Sequence, residues 1–409
     1  MKYVKGLRCR ECGATRPAAP QAACDDCFGP LEVDYDYEGI AAGTTPSGIE
    51  SGPRTIWRYA PLLPAPDGDR VDIGAGGTPL RAAPRLAAEL GLKKLWLKLD
   101  SANPTHSFKD RVVSVALSVA RSLGYDVAAC ASTGNLANAV AAHAAAAGMT
   151  SHVFVPADLE PGKIAGTTVY GGNVVGIRGS YDDVNRICAQ LAERRRWAFV
   201  NVSFRAFYSE GSKTLAFEVA EQLGWRSPDA VVVPVASGSL LTKFAKGLRE
   251  LTSTGLLEEE SVALHGAQAG GCAPVAGAFE RGATDVTPVK PRSIAKSLAI
   301  GDPADGYYAL REVRARGGSI TSVPESSVVE GIRLLARTEG VFTETAGGVT
   351  IAALERLVRS GAIAPAQETV VLVTGTGLKT ADVLGPARPT AEVAASLDAV
   401  EELLGKETQ

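Results

Sequence analysis

A lysine in the segment Asn103–Arg111, which reads Asn-Pro-Thr-His-Ser-Phe-Lys-Asp-Arg, is the strongest candidate for covalent chemistry in this chain of 409 residues. Residues 95–100 alternate apolar and polar like a strand, and the apolar residues after the segment recur at helical spacing. Lys109 therefore stands at the opening of a helix, close to Ser107 and Asp110. An amine at such a junction is well placed to lose its water shell and to form a Schiff base. A solvated helix start is the alternative for this segment taken alone.

A second candidate site is the turn Ser132-Thr133-Gly134-Asn135, which separates a strand at 127–130 from an Ala-rich helix at 136–147. Free backbone amides in the first turn of a helix attract a carboxylate, and an Asn side chain can bond a ring hydroxyl. A simple helix cap is the alternative for this turn by itself.

Polar and basic side chains concentrate around a Gly turn further along the chain, at Asn201, Ser203, Arg205 and Lys213. Arg grips a phosphate through two parallel hydrogen bonds, and Lys supplies a point charge. The pattern indicates an anion site. Exposed residues at a helix start explain it equally well.

A loop of small residues, Ser237, Gly238, Ser239 and Leu240, follows an apolar strand at 230–236. Successive N–H groups of such a loop converge on an oxyanion, and the dipole of the following helix adds to the attraction. No Walker lysine pattern accompanies the loop, so it is not a nucleotide loop. A plain strand-to-helix turn is the alternative.

Four cysteines near the start form two Cys-x-x-Cys pairs, Cys9 with Cys12 and Cys24 with Cys27. Each pair lets two thiolates approach one ion, and two pairs complete a tetrahedral zinc site. Because all four coordination places are then filled, we expect a structural ion rather than a catalytic one. Four free thiols in a disordered arm are one alternative. A redox dithiol is another, but nothing βαβ-like surrounds the pairs to favour it.

Composition narrows the class of protein further. A hydrophobic fraction of 45% and a charged fraction of 21% are those of an ordinary soluble enzyme. A net charge of -3 argues against broad affinity for nucleic acid or an anionic membrane. No apolar run is long enough to span a bilayer, and the first residues lack a secretory apolar core, so we expect a cytoplasmic protein.

Strands and helices alternate from residue 112 onwards, which predicts an α/β fold with parallel, doubly wound sheets. Ligands of such folds bind at the carboxyl ends of the strands. The turns and loops described above follow predicted strands, so we expect them to lie at these ends.

The segment around Lys109 resembles the cofactor-lysine signature of threonine synthases, a family of fold-type-II pyridoxal-phosphate enzymes. The usual form is Asn-Pro-Thr-Gly-Ser-Phe-Lys-Asp-Arg, so His106 stands where the family mostly has Gly. The turn at 132–135 is similar to the family's Ser-Thr-Gly-Asn loop, and Thr374 opens a similar segment at 374–379. Some family members also carry a four-Cys head.

The resemblance implies a two-domain fold of the tryptophan synthase β type, with a small zinc ribbon at its start. We expect the ribbon at 1–37, an arm with little regular structure at 38–80, and a closing helix at 391–409. The large cofactor-binding domain is expected at 81–111 and 201–390, and the small domain at 112–200.

The resemblance also implies roles for the candidate residues. Lys109 would bind pyridoxal 5'-phosphate covalently and act as the catalytic base. The remaining cofactor contacts would be Asn135 at the ring hydroxyl, Ser237, Gly238, Ser239 and Leu240 at the phosphate, and Thr374 at the pyridine nitrogen. Substrate would be bound at its carboxylate by Ser132, Thr133 and Gly134, and near its phosphate by Asn201, Ser203, Arg205 and Lys213.

The implied reaction converts O-phospho-L-homoserine and water to L-threonine and phosphate. We expect a homodimer with pyridoxal phosphate and structural zinc, acting on a small phosphorylated amino acid, with no nucleic-acid or membrane partner. Three alternatives stay open: an enzyme that makes cysteate from phosphoserine and sulfite, a serine or threonine dehydratase, and a non-catalytic binding protein that keeps the fold.

Overall fold

The computed structural model describes residues 1–21, 23–68, 70–132, 134–157, 161–179, 181–386 and 389–407. Its strands are, in chain order, β1 (Val4–Cys9), β2 (Thr15–Arg16), β3 (Leu31–Tyr35), β4 (Leu80–Ala82), β5 (Lys94–Leu99), β6 (Val127–Ala131), β7 (Thr150–Pro156), β8 (Asn173–Ile177), β9 (Ala198–Phe199), β10 (Ala230–Pro234), β11 (Ala263–Ala269), β12 (Ile320–Val323) and β13 (Glu368–Val373).

The α-helices lie between these strands, as the sequence alternation predicts. They are, in chain order, α1 (Tyr37–Gly43), α2 (Pro46–Glu50), α3 (Pro84–Leu90), α4 (Lys109–Ser122), α5 (Asn135–Ala146), α6 (Pro161–Thr168), α7 (Tyr181–Arg194), α8 (Arg205–Glu210), α9 (Thr214–Gln222), α10 (Ser239–Ser253), α11 (Pro274–Glu280), α12 (Gly306–Ala315), α13 (Glu325–Glu339), α14 (Thr345–Arg359) and α15 (Leu397–Glu407).

The strands form three sheets. The largest has the order β12-β11-β10-β13-β5-β4, and its strands are parallel except β4, which runs antiparallel to β5. A second sheet, β8-β7-β6-β9, is parallel throughout. The predicted boundaries at 111 and 200 lie between these two groups of strands. The short antiparallel sheet β2-β1-β3 forms the four-Cys head.

Buried β-branched residues explain why β10 and β13 lie at the centre of the large sheet. Every residue of both strands is buried, since helices cover both faces of the sheet. The neighbouring strands β10, β13 and β5 run in the same direction, so their carboxyl ends meet at one edge. This edge carries the loop at 237–240, Thr374 and the segment that leads to Lys109.

Two segments, the arm and the last helix, differ from the prediction. The arm at 38–80 contains α2, most of α1 and a 3-10 helix at Ile56–Leu62, which buries Trp57 and Tyr59 against the body. The closing helix α15 begins at Leu397 rather than at 391. Throughout the described residues, no helix combines the length and the apolarity that crossing a membrane requires.

Candidate active site

Lys109 is the first residue of α4 and is half-buried at the carboxyl edge of the large sheet. Its Nζ donates a single hydrogen bond among the described residues, to the Tyr208 hydroxyl at 3.2 Å. The amine also lies 4.4 Å from the centre of the Phe108 ring. Burial lowers the pKa of Lys109 to about 8, against an opposing effect of the Glu344 carboxyl. A substantial fraction of the amine is therefore neutral, and so nucleophilic, near neutral pH.

Backbone hydrogen bonds fix the turn before Lys109 to the end of β13. The Phe108 amide donates to the Thr374 carbonyl at 2.9 Å, and the Thr376 amide donates to the His106 carbonyl at 3.1 Å. His106 has a φ of 61°, in the left-handed region. Glycine adopts this backbone freely, whereas a residue with a Cβ pays about 1 kcal/mol. This backbone geometry is one that Gly adopts easily, and His106 adopts it despite its Cβ.

Asp110 and Arg111 hold the start of α4 rather than face a ligand. The Asp110 carboxylate accepts from the Thr105 amide at 2.8 Å and lies 3.1 Å from His143 Nε2. The fully buried Arg111 guanidinium donates to Asp100 at 2.7 Å and to Glu218 at 2.6 Å. Charge-assisted bonds of this kind fix geometry tightly, so Lys109 projects from a rigid base.

A hydrogen-bonded group of four side chains connects the two larger sheets beside Lys109. Glu344 accepts from Asn135 Nδ2 at 2.8 Å and from Thr374 Oγ1 at 3.1 Å. Lys379 Nζ donates to Asn135 Oδ1 at 3.0 Å, so both ends of the Asn135 amide are held. Burial raises the pKa of Glu344, although the bonds from Asn135 and Thr374 oppose the rise. The two residues predicted to contact the cofactor ring thus share one carboxyl group.

The loop Ser237-Gly238-Ser239-Leu240 has the form expected of an anion site. Gly238 precedes α10 with a φ of 90°, and no side chain caps the amides of the first turn from this position. A Cβ on Gly238 would lie 2.7 Å from the Asp305 carbonyl oxygen, so only glycine fits here. The loop therefore exposes backbone amides at the amino terminus of a helix, where an anion is stabilised.

The turn at 132–135 lies at the carboxyl end of β6 and opens α5 at Asn135. Ser132 is buried, and its Oγ accepts from the Gly134 amide at 3.4 Å. No side chain caps α5 from Gly134, which leaves its first amides available to a carboxylate. Thr133, which the sequence also predicts to bind substrate, lies outside the described residues.

The four residues predicted near a substrate phosphate fall into two places. Asn201 and Ser203 follow β9, and Arg205 opens α8 and donates to Asp305 at 2.7 Å. Lys213 is instead fully buried, with Nζ at 2.6 Å from Glu210 and 2.7 Å from Glu250. The structure brings Arg205 close to the loop at 237–240 but pairs Lys213 with carboxylates.

The four cysteines of the head come together as their spacing predicts. The Sγ atoms of Cys9, Cys12, Cys24 and Cys27 all lie within 4.8 Å of one another. Four sulfur donors in such a group match the tetrahedral coordination that zinc adopts in structural sites. Among the described residues this is the one group of three or more cysteine, histidine or acidic side chains with such spacing.

Comparison with known proteins places this site in a family. Residues 71–375 match the family model described as "Pyridoxal-phosphate dependent enzyme". The chain is 38% identical to threonine synthase of Methanocaldococcus jannaschii over 378 residues, 92% of this chain and 93% of the relative. It is 36% identical to threonine synthase of Methanosarcina acetivorans, with 97% and 98% of the two chains covered.

The chain belongs to the threonine synthase family of pyridoxal-phosphate dependent enzymes. Solved structures confirm the predicted fold-type-II architecture. Threonine deaminase isoform 2 from Solanum lycopersicum superposes with a TM-score of 0.64 at 19% identity, covering 75% of this chain and 81% of the other. Diaminopropionate ammonia lyase from Escherichia coli has the same TM-score at 18% identity, covering 77% and 89%.

A protein that binds a cofactor and a substrate needs polar atoms that are not already hydrogen-bonded within the chain. In the described residues, the buried Ser107 Oγ and Asn201 Oδ1 have no hydrogen-bond partner. Lys109 supplies an amine, the amides after Gly238 would bind a phosphate, and Asn135 and Thr374 would contact the cofactor ring. The residues present therefore fit pyridoxal phosphate.

Sequence analysis missed Glu344 and Asp305 as site residues. Glu344 precedes α14, where the sequence suggests a helix cap, but its side chain makes no capping bond and turns to Asn135 and Thr374. Asp305 precedes α12 and contacts both Arg205 and the Gly238 loop. Neither stands in a motif, since their partners are distant in the sequence.

Proposed function

We propose that this protein converts O-phospho-L-homoserine and water to L-threonine and phosphate. The observation that carries the proposal is Lys109, a half-buried amine with a lowered pKa and a hydroxyl partner, at the edge where three parallel strands end. The family membership, with relatives named threonine synthase over more than nine-tenths of the chain, supports the same reaction.

Lys109 would hold pyridoxal phosphate and, once released by the substrate amine, carry protons. When bound, the cofactor supplies an electron sink for the electrons freed at the substrate Cα. The Lys109 amine removes a proton at Cα and then one at Cβ, because a single flexible side chain reaches both. Phosphate then leaves from Cγ, which receives a proton, and the hydroxyl of water adds at Cβ while a proton returns to Cα; the Lys109 amine is the group placed to return these protons.

Glu344 would hold the two residues that meet the cofactor ring. Asn135 is assigned to the ring hydroxyl and Thr374 to the pyridine nitrogen, and both bond the Glu344 carboxyl. The carboxyl accepts from Thr374 Oγ1 at 3.1 Å, which fixes the hydroxyl that is assigned to the pyridine nitrogen. A hydroxyl partner leaves the ring a moderate electron sink, as a reaction with two proton removals from carbon requires.

Anion binding would be divided among three places. Ser237, Gly238, Ser239 and Leu240 are assigned to the cofactor phosphate, and Ser132, Thr133 and Gly134 to the substrate carboxylate. Asn201, Ser203 and Arg205 are assigned to the leaving phosphate, whose charge they stabilise as it departs. Lys213 was predicted to act with them, but its pairing with two carboxylates supports a structural role instead.

Three further assignments complete the proposal. The four cysteines are assigned to structural zinc, which would hold the head in its fold. A cytoplasmic location and a homodimer remain expectations from the sequence and its resemblance. Zinc content of the purified protein and its mass in solution measure two of these three.

The decisive experiment supplies purified protein with pyridoxal phosphate and O-phospho-L-homoserine, and measures inorganic phosphate and L-threonine together. Equal amounts of both products support the proposal. Phosphoserine with sulfite, and L-serine or L-threonine alone, are the control substrates. Turnover of a control substrate without threonine formation would contradict the proposed reaction while leaving the cofactor assignment intact.

A further inference from the structure

The four-Cys head contacts the body of the protein next to the loop at 237–240. Arg10 and Glu11 are the two residues between Cys9 and Cys12, so they project from the first Cys-x-x-Cys turn. Arg10 Nη1 lies 3.5 Å from Asp305 Oδ1, and its guanidinium carbon lies 3.7 Å from the centre of the Tyr308 ring. Glu11 accepts from the Tyr308 hydroxyl. The turn thus contacts the start of α12 through both of these side chains.

Asp305 also contacts the groups that are assigned to phosphate binding. Its backbone amide donates to the Ser237 carbonyl at 2.8 Å, and its carbonyl occupies the space that a Cβ on Gly238 would need. Its carboxylate also accepts from Arg205 Nη2 at 2.7 Å. One buried aspartate therefore fixes the loop assigned to the cofactor phosphate, a side chain assigned to the substrate phosphate, and Arg10 of the head.

We propose that Arg10 is a positioning residue of the active site, through which the four-Cys head holds the phosphate-binding loop in place. Arg10, Arg205, Ser239 and Asp305 are among the residues that line one small cavity between the head and the body. The Arg10 side chain is 15% exposed and that of Asp305 is 8% exposed, which protects their ion pair from solvent screening. The inference rests on the proposed role of the loop at 237–240.

Loss of Arg10 has two expected consequences. Asp305 loses one of its two cationic partners and binds Arg205 more tightly, which withdraws Arg205 from a substrate phosphate. The start of α12 also loses the stacked guanidinium on Tyr308, and the Gly238 loop loses its support. Both effects weaken anion binding, whereas Lys109 and its proton transfers stay as they are.

The test compares Arg10→Ala with Arg8→Ala in the full chain. Arg8 lies two residues before Arg10, on β1, and pairs with Asp34 at 3.1 Å, but its side chain is 54% exposed, and among the described residues no ion pair or hydrogen bond joins it to Asp305. We expect Arg10→Ala to raise the dissociation constant for pyridoxal phosphate, measured by absorbance titration of the cofactor-free protein, by roughly 3- to 30-fold. The KM for the phosphorylated substrate should rise similarly, while kcat at saturating cofactor stays within about twofold. Arg10→Lys, which keeps the charge without the stacked plane, should recover part of the affinity.

Chelation supplies the second measurement. Removing metal from the unmodified protein should weaken cofactor binding, and chelation should weaken it by a smaller factor in Arg10→Ala, because the two changes share the contact between Arg10 and Asp305. Effects that multiply, or an Arg10→Ala dissociation constant equal to that of Arg8→Ala, would overturn the inference.

Gly238→Ala separates this inference from the proposed function. If Gly238→Ala leaves cofactor affinity unchanged, the loop assignment itself is wrong. If Gly238→Ala weakens binding and Arg10→Ala does not, the loop assignment stands and only the role of the head is wrong.

Discussion

Lys109 and Lys213 are both lysines that sequence analysis predicts to act in the site, yet their surroundings are opposite. Lys109 Nζ meets a tyrosine hydroxyl and an aromatic face, with no ion-pair partner among the described residues. Lys213 Nζ contacts Glu210, Glu250 and the Leu62 carbonyl, and Glu210 is shared with Lys243 and Lys246. The amine proposed to gain and lose a proton therefore has no counter-ion among the described residues, whereas the Lys213 amine is neutralised by carboxylates of the protein itself.

The partners of Lys213 also belong to the contact between the head and the body. Glu32 of β3 pairs with Lys243 at 3.2 Å, and the Tyr35 hydroxyl donates to Glu210 at 2.8 Å. The Lys246 amine donates to the Val33 carbonyl at 3.0 Å. The cluster therefore ties the third strand of the head to α8 and α10. Its cations are paired with carboxylates of the protein itself.

Removing Lys109 should have the largest effect. In Lys109→Ala the amine that carries protons is absent, and loss of general base catalysis alone costs roughly 10²- to 10⁴-fold in rate. We expect loss of the absorbance of covalently bound cofactor together with turnover. Lys94→Ala, on an exposed position of β5, is the control. Retained turnover in Lys109→Ala would mean that the lysine is misassigned.

Lys213→Met should lower stability rather than alter chemistry. Breaking a buried ion cluster by removing one partner costs about 3–5 kcal/mol, because the remaining carboxylates lose their compensation. Urea unfolding measures this loss, with Lys5→Met as the control, since Lys5 is 59% exposed in its pair with Asp36. A raised KM for the phosphorylated substrate with unchanged stability would return Lys213 to the phosphate site.

The rate at which the cofactor-free protein binds pyridoxal phosphate should depend on pH through the lowered pKa of Lys109. The neutral amine reacts, and burial lowers the pKa of Lys109 to about 8. The neutral fraction therefore falls about tenfold per pH unit below 8 and levels off above it. Stopped-flow absorbance of the cofactor-free protein mixed with pyridoxal phosphate measures the rate. A rate that keeps rising to pH 10 would show an unperturbed amine.

Glu344→Gln tests whether the shared carboxyl matters to the ring contacts. The amide oxygen still accepts from Asn135, but the amide nitrogen cannot accept from Thr374. We therefore expect kcat to fall about tenfold, which corresponds to a rise of roughly 1.4 kcal/mol in the activation free energy. The spectrum of the bound cofactor should shift as well. Glu325→Gln is the control, because Glu325 also opens a helix and accepts backbone amides, from Gly271 and Ile294. Equal kinetics in the two variants would remove Glu344 from the site.

What could be predicted from the sequence depends on how far apart the partners lie in the chain. Spacing and residue type predicted the local structure of features that are each contained in a few residues: the strand before Lys109, the turn at 132–135, the loop at 237–240 and the cysteine pairs. The ligand roles assigned to these residues stay predictions. The pairing of Lys213 with Glu250 and the contacts of Glu344 could not be predicted, because these partners are remote in the sequence. Glu344 is 209 residues from Asn135, and no local pattern announces that contact.

Lys213 also shows that local sequence does not identify the partner of a side chain. A lysine after a Gly turn has the same local sequence whether it faces a ligand or a carboxylate. The distinction comes from Glu250 on α10, which packing brings beside Lys213. Local sequence could therefore place a cation near the site but could not say what neutralises it.

The smallest effect is expected at His106, the one departure from the usual lysine segment. His106 is exposed and holds a left-handed φ of 61°, so its imidazole adds nothing to the core and its Cβ strains the backbone. His106→Gly should raise the free energy of unfolding by up to about 1 kcal/mol, reduced by the greater entropy of glycine in the unfolded chain. Turnover should stay within about twofold if the turn serves only to present Lys109. His106→Ala keeps the strain and is the matched control. A large change in KM in both variants would show instead that the imidazole contacts the substrate, and the contrast between a bare Lys109 and a paired Lys213 would then include a third titratable group.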